Sequence, residues 1–328
     1  MASASRRTVF ATRRLPGEAF AALAHEVDLV VAPGPGAPPP EALRAGVARA
    51  EGLLCLLTEQ VDASLLDAAP RLRVISSCSA GVDHIDLAAA TARGVPVGHT
   101  PGVLTETTAD LAFGLMLAAA RRIPEADRFV RQGQWTPERR WEPDMLLGRD
   151  LHGASLGIVG LGAIGRAVAR RASGFGMRVL GWSRSVREVA GVQRVTLAEL
   201  LSLSDFVSVH VALTPDTRAL LDAQALGRMR RGAILVNTAR GGIVDEAALA
   251  EALHEGRLAA AGLDVFADEP LPADSPLQAA PHVVLTPHIG SASVATRTRM
   301  ADRAVANLRA GLAGEPLPHC ANPEVEPM

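Results

Sequence analysis

Three short runs in the C-terminal half hold residues whose types and spacing could do chemistry. They are Asn237-Thr-Ala-Arg-Gly-Gly-Ile-Val-Asp245, Asp264-Val-Phe-Ala-Asp-Glu-Pro270 and Thr286-Pro-His-Ile-Gly-Ser291. Each follows a strand-like apolar stretch, and each offers one group suited to reducing a 2-oxo acid. Arg240 can fix a carboxylate through a bidentate pair. His288 can give a proton near neutral pH. Glu269 can hydrogen-bond the other imidazole nitrogen and favour the imidazolium. Taken singly, each has a bland reading: a solvated loop arginine, one of nine histidines, an ordinary acidic turn. Their joint order, each just past a strand end, is hard to explain by structure alone.

A source of reducing equivalents is legible upstream. Ile158-Val-Gly160-Leu-Gly162-Ala-Ile-Gly165 follows an apolar run and opens a helical stretch. In that setting Gly160 permits a tight turn, and Gly162 lets backbone approach a pyrophosphate. Gly165 lets helix and strand pack closely, and the helix start, with Ala163 and Ile164, faces the anion. The end of the next strand selects the cofactor. NAD-binding chains place an acid there for the ribose hydroxyl. This chain has Gly181-Trp-Ser183-Arg184-Ser185 and no acid before Glu188. Ser183, Arg184 and Ser185, helped by Arg187, are therefore expected to hold a 2′-phosphate. The predicted cofactor is NADP(H), with NAD(H) the second choice. Asp264 is placed to contact the nicotinamide, and capping its own loop is nearly as good a reading.

The elements that must position these groups alternate along the chain. Strand-like runs near residues 8–12, 27–31, 53–56, 74–77 and 95–98 are separated by helical stretches near 17–25, 41–50 and 85–93. A long alanine-rich helix is expected over 105–122, its early acids facing the positive end of the helix dipole. Residues 133–149, with Trp135, Trp141 and several prolines and glycines, read as an extended arm. A second alternating series begins at Ser155, with strands near 156–159, 178–181, 206–209, 234–236, 260–263 and 283–285. The rhythm predicts an α/β protein of two Rossmann-like or flavodoxin-like parallel-sheet domains with a cleft between them. A last helix near 291–313 should return to the first domain and make it discontinuous. The expected division is a substrate domain from 1–100, completed by 287–328, and a nucleotide domain over 101–286.

Composition narrows the choices. At 328 residues the chain suits about two domains. A net charge of −2 argues against nucleic acid as a partner. The longest apolar run, Leu111 to Ala120, is too short to span a membrane, and the N-terminus does not read as a signal peptide. Cys55, Cys78 and Cys320 are scattered and odd in number, which favours a reducing, cytoplasmic setting and no metal site. All 33 basic side chains other than histidine are arginines, because lysine is absent, and tyrosine is absent too. Schiff-base chemistry and Tyr–Lys proton donors are thereby excluded.

The same runs, with Ile75-Ser-Ser-Cys-Ser-Ala-Gly-Val-Asp-His84, Thr100-Pro-Gly-Val-Leu-Thr-Glu-Thr-Thr108 and Gly314-Glu-Pro316, resemble the D-isomer-specific 2-hydroxyacid dehydrogenases over nearly the whole chain. Within that family the chain looks most like the glyoxylate/hydroxypyruvate reductases. The resemblance implies that Ala80 and Gly81 offer backbone N–H groups to a substrate carboxylate and that Leu56 lines the same pocket. It implies that Thr108, Ala212 and Thr238 border the cofactor and that Asp264 and Gly290 lie near the nicotinamide. It also implies a homodimer built through the nucleotide domain, with Trp141 reaching the partner subunit's substrate; packing within the arm is the equal alternative. The implied reaction is NADPH-dependent reduction of glyoxylate to glycolate and of hydroxypyruvate to D-glycerate, with Arg240, Glu269 and His288 as the catalytic set. Competing readings are an NAD-linked dehydrogenase for phosphoglycerate or lactate, and a dinucleotide-sensing corepressor that binds without turnover.

Overall fold

A computed structural model describes residues 6–185 and 188–325, and the chain divides into two compact units. The first joins the described residues up to Leu104 with those from Ser291 onward. Its strands are β1 (Thr8–Ala11), β2 (Asp28–Val31), β3 (Gly52–Cys55), β4 (Val74–Ser77) and β5 (Val97–Gly98). They pair in parallel in the order β2-β1-β3-β4-β5. The connecting helices are α1 (Glu18–Glu26), α2 (Pro40–Val47), α3 (Ala63–Asp67) and α4 (Leu87–Ala92). Parallel strands need such crossovers, and helices on the sheet faces explain why β3 and β4 are buried at every position.

The second unit spans Thr105–Gly290. It opens with α5 (Thr105–Ala120) and α6 (Ile123–Arg131), then runs β6 (Ser155–Val159), α7 (Ala163–Gly174), β7 (Arg178–Trp182), β8 (Val192–Arg194), α8 (Leu197–Leu203) and β9 (Phe206–Val209). It ends with α9 (Ala223–Arg228), β10 (Ile234–Asn237), α10 (Glu246–His254), β11 (Ala260–Leu263), α11 (Pro276–Ala279) and β12 (Val283–Leu285). Seven parallel strands lie in the order β12-β11-β10-β9-β6-β7-β8. The chain winds outward from β6 through β7 and β8, then crosses back to β9. Ligands of such sheets bind where the winding reverses, outside the carboxyl ends of the strands. β6 and β9 are that reversal point.

A last helix, α12 (Val294–Ala313), belongs to the first unit. Met300, Ala301, Ala304, Val305, Leu308 and Leu312 share one buried cluster with Val9, Leu54 and Val74. The approach is close: a Cβ at Gly311 would lie 2.4 Å from a Val74 methyl. Full burial of one leucine or valine side chain contributes roughly 1.5–3 kcal/mol, so this helix is a principal support of the first sheet. Ser293 starts it by accepting from the Thr296 N–H.

The expected helix over 105–122 stops at Ala120, because Arg122 takes the left-handed conformation (φ 53°) and redirects the chain into α6. The strand β8 and the helices α3 and α6 were not anticipated, while α8, α9 and α11 fill intervals between strands where helices were expected without stated bounds. Residues 133–149 form a loose arm with one turn of 3-10 helix at Pro137–Arg139, held by the Trp135 indole N–H donating to Arg140 O at 2.9 Å. Among the described residues, no helix is long and apolar enough to cross a membrane.

Candidate active site

The glycine turn after β6 is built for close approach. Gly160 has φ 106°, and a Cβ there would lie 2.6 Å from His210 O at the end of β9. At Gly165 a Cβ would fall 1.9 Å from Gly160 O, so only glycine lets α7 start against the turn. Gly162 is the N-cap of α7, no side chain caps the helix, and space around its Cβ position is open. The first-turn N–H groups at Ala163, Ile164 and Gly165 are thus left without a side-chain cap, as an anion at a helix N-terminus requires. Thr238, just past β10, is buried, and its hydroxyl has no partner among the described residues. These features fit a dinucleotide. Ala212 is exposed beyond β9, and Thr108 of α5 donates to Gly290 O at 3.0 Å.

Past β7, the Ser183 hydroxyl donates to Ser185 O at 2.7 Å, which tightens the loop. Arg184 is half exposed and lies 3.5 Å from Asp216, an outer-limit ion pair that solvent screens. Arg187 lies outside the described residues. His210 sits beside the glycine turn with its Nε2 2.8 Å from the Ser208 hydroxyl, and burial pushes its pKa down to about 3. The ring is therefore neutral at physiological pH.

The turns after β10, β11 and β12 come together at the same end of the sheet. Asn237 closes β10, and its buried amide fastens both sides of the next turn, donating to Arg240 O (2.9 Å) and accepting from Ala239 N–H (3.0 Å). That brace aims Arg240, which is half-buried. Asp264 ends β11 fully buried. Its carboxylate accepts from the Thr286 hydroxyl (2.6 Å), Ile289 N–H (2.8 Å) and Gly290 N–H (2.7 Å), and its carbonyl accepts from His288 N–H (2.9 Å). Burial raises its pKa against those hydrogen bonds. Asp264 is thus the tether of the His288 loop.

His288 is held at φ 53°, a strained conformation for a residue with a Cβ. Its Nδ1 lies 2.7 Å from Glu269 Oε2, which leaves Nε2 to face a reactant. Glu269 Oε1 accepts from Phe266 N–H at 3.0 Å. Burial works against the Glu269 anion, yet the His288 hydrogen bond and charge, the Phe266 amide and Arg240 together hold its carboxyl below the usual range. The three groups singled out in the sequence therefore meet: a proton carrier, its anionic partner and a cation within electrostatic reach.

In the first unit, Ala80 and Gly81 lie on the loop after β4. Neither N–H donates within the described residues. Leu56, just past β3, is fixed by its N–H donating to the buried Glu59 carboxylate at 2.7 Å. Glu59 also accepts from Thr12 (2.7 Å) and Arg13 (2.9 Å). Trp141 on the arm is 79% exposed, so it does not pack within the arm. Sequence reasoning missed Asn237, Thr286, Glu59 and His210. Their roles come from contacts that join distant parts of the chain; only Asn237 and Thr286 carried a signal, as the polar ends of apolar runs.

The family model for the NAD binding domain of D-isomer specific 2-hydroxyacid dehydrogenases matches residues 113–290. A glyoxylate reductase from Korarchaeum cryptofilum is 48% identical over 321 residues, covering 97% of this chain and 96% of the relative. The human glyoxylate reductase/hydroxypyruvate reductase is 46% identical over 318 residues, covering 94% of this chain and 96% of its own length. Among solved structures, an NADPH-dependent glyoxylate/hydroxypyruvate reductase from Sinorhizobium meliloti, in complex with NADP and malonate, matches with a TM-score of 0.88 at 33% identity, covering 99% of each chain.

Proposed function

The chain belongs to the D-isomer specific 2-hydroxyacid dehydrogenase family, and from that premise we propose that it is an NADPH-preferring reductase of small 2-oxo acids, turning glyoxylate into glycolate and hydroxypyruvate into D-glycerate. The observation that carries the reading is the Glu269–His288 pair at 2.7 Å beside Arg240. A corepressor-like sensor of this fold keeps the same three residues, so what weighs against that reading is the Ser183-Arg184 pair, which points away from NADH sensing.

A nicotinamide cofactor, once held there, would supply the hydride for C2 of the acid. Everything else falls to the chain. Arg240 and the amides of Ala80 and Gly81 bind the carboxylate, and Leu56 lines the pocket. His288 gives the proton from Nε2 to the carbonyl oxygen, so one proton and one hydride add across the C=O bond. Glu269 stabilises the imidazolium before transfer and orients the ring, and Asp264 holds the loop in register. The glycine turn and α7 would hold the pyrophosphate, Thr108, Ala212, Thr238, Asp264 and Gly290 would border the cofactor, and Ser183, Arg184 and Ser185 would receive its 2′-phosphate. The preference for NADPH rests on the missing acid after β7 and on the weak Arg184–Asp216 pair, which a phosphate readily displaces.

The active species is proposed to be a homodimer in the cytoplasm. Support comes from α6 and the arm, where Ile123, Val130, Trp135, Trp141 and Leu147 are all more than half exposed. Trp141 would then serve the partner's substrate pocket. The assay is absorbance of NADPH, and separately NADH, with purified protein and either glyoxylate or hydroxypyruvate. Fast oxidation of NADPH with slow oxidation of NADH is expected. Tight dinucleotide binding with no oxidation of either would refute the reductase.

A further inference from the structure

The loop Ser79–Gly81 is unusual in how its carbonyls are held. Ser79 O accepts from Thr100 N–H at 2.7 Å, Ala80 O lies 3.0 Å from His99 Nδ1, and Gly81 O accepts from the Ser79 hydroxyl at 2.6 Å. In a trans peptide the C=O and the following N–H point in opposite directions within one plane. Fixing Ser79 O therefore aims the Ala80 N–H, and fixing Ala80 O aims the Gly81 N–H. Both amides have no acceptor among the described residues, so they are aimed outward at something the chain does not supply.

The donor directions behind this loop can be assigned. A carbonyl oxygen only accepts, so His99 must carry its proton on Nδ1. Ser79 uses its hydroxyl hydrogen on Gly81 O, so the Ser77 hydroxyl, 2.7 Å away, must donate to Ser79. Ser77 has then no hydrogen left for His84 Nε2 at 3.0 Å, so that nitrogen donates to Ser77. Ser77, Ser79 and His84 are all buried, which keeps water from breaking the chain of bonds. Thr100 acts through its backbone and the serine chain through Gly81 O. His99 is the side chain that sets the plane of the Ala80–Gly81 peptide itself.

We propose that His99 is a positioning residue for carboxylate binding, because its Nδ1–H bond to Ala80 O directs the Gly81 N–H at the substrate carboxylate. The inference rests on the reading above that this amide binds that carboxylate. His99 touches neither substrate nor cofactor in this account and acts through the peptide alone. A hydrogen bond to a charged group is strong enough that losing its alignment weakens binding about tenfold or more.

The test compares His99→Leu, His99→Asn and Arg240→Gln in the full-length enzyme. The readouts are KM and kcat for glyoxylate, the inhibition constant of oxalate as a non-reacting carboxylate, and the dissociation constant of NADPH. For His99→Leu, KM and the oxalate constant should rise about tenfold, with kcat changed less and NADPH binding unaltered. His99→Asn should recover most of the loss, since its amide N–H can take the place of Nδ1–H. If Arg240→Gln weakens oxalate while His99→Leu leaves it within about twofold, the positioning role is wrong and the site stands. If neither variant weakens oxalate, the carboxylate site itself is misassigned and the proposal falls with it. Equal losses in His99→Leu and His99→Asn, tracking a lowered melting temperature, would show a merely structural role and overturn it too.

Discussion

Gly241 follows Arg240 directly, and its substitution tests how the catalytic turns are kept in register. A Cβ at Gly241 would sit 1.8 Å from Phe266 C, 2.2 Å from Ala267 N and 2.2 Å from Phe266 O. These are backbone atoms and cannot rotate aside. The tightest real contacts are near 3.0 Å, so Gly241→Ala must part the two turns by about 3.0 − 1.8 = 1.2 Å. Phe266 N–H is the donor that holds Glu269 Oε1, so the displaced turn carries the His288 partner with it. Overpacking of this kind costs about 1–3 kcal/mol of stability. A shift near 1 Å in a catalytic group costs on the order of a hundredfold in rate. Gly242→Ala is the matched control, because its Cβ would meet Leu213 at an ordinary 3.5 Å. Steady-state kinetics at 25 °C, with the melting temperature followed in parallel, should show kcat/KM for glyoxylate down about a hundredfold in Gly241→Ala and nearly unchanged in Gly242→Ala. A Gly241→Ala enzyme within about threefold of its control would refute the argument that this contact sets the spacing of Arg240 and Glu269.

Three further outcomes follow from the site. Glu269→Gln replaces the carboxylate that accepts from His288 Nδ1, so kcat for glyoxylate should fall by about tenfold or more with NADPH binding unchanged; an unaltered kcat contradicts the pairing. His210 has its pKa lowered from 6.5 to about 3, so the unfolded chain binds a proton that the folded one rejects. Its stabilising contribution is complete above pH 6.5 and is lost as pH falls toward 3, by up to about 1.4 kcal/mol per unit. Urea unfolding between pH 6.5 and 4.5 should therefore show a flatter decline in His210→Gln than in the wild type, and parallel curves would count against a buried neutral ring. Arg184→Ala should raise KM for NADPH about tenfold and leave NADH unchanged, and equal effects on both cofactors would remove the 2′-phosphate role.

Much of this was readable from the sequence because the chemistry sits at strand ends. Gly160 and Gly165 mark a turn that needs glycine at those two positions, and the runs around Arg240, Glu269 and His288 are local in the chain. The α/β rhythm followed from apolar runs alternating with helical stretches. What stayed hidden was contact across distance. Asp264 was read as a cofactor neighbour or a loop cap, but the tether it makes to Thr286, Ile289 and Gly290 depends on β11 and β12 lying side by side. Glu59 carries no local signal in the sequence, and the bonds it accepts from Thr12 and Arg13 need β1 and β3 to be neighbours. The end of α5 at Ala120 depends on a left-handed Arg122, which no propensity predicts. The missed β8 is three residues long and half exposed, too short for a periodic signal.

The return of α12 to the first unit has a consequence for the order in which the protein is made. During synthesis Val9, Leu54 and Val74 leave the ribosome 220 to 285 residues before the start of the helix that covers them at Val294, while the Thr105–Gly290 unit has all its strands in hand first. The nascent N-terminal sheet must therefore wait with an apolar face open, the condition under which chains associate wrongly or recruit chaperones. A chain stalled once Gly290 has cleared the ribosome should display a finished Thr105–Gly290 unit while the first unit still lacks α12, and emergence of α12 should complete the first unit in one late step.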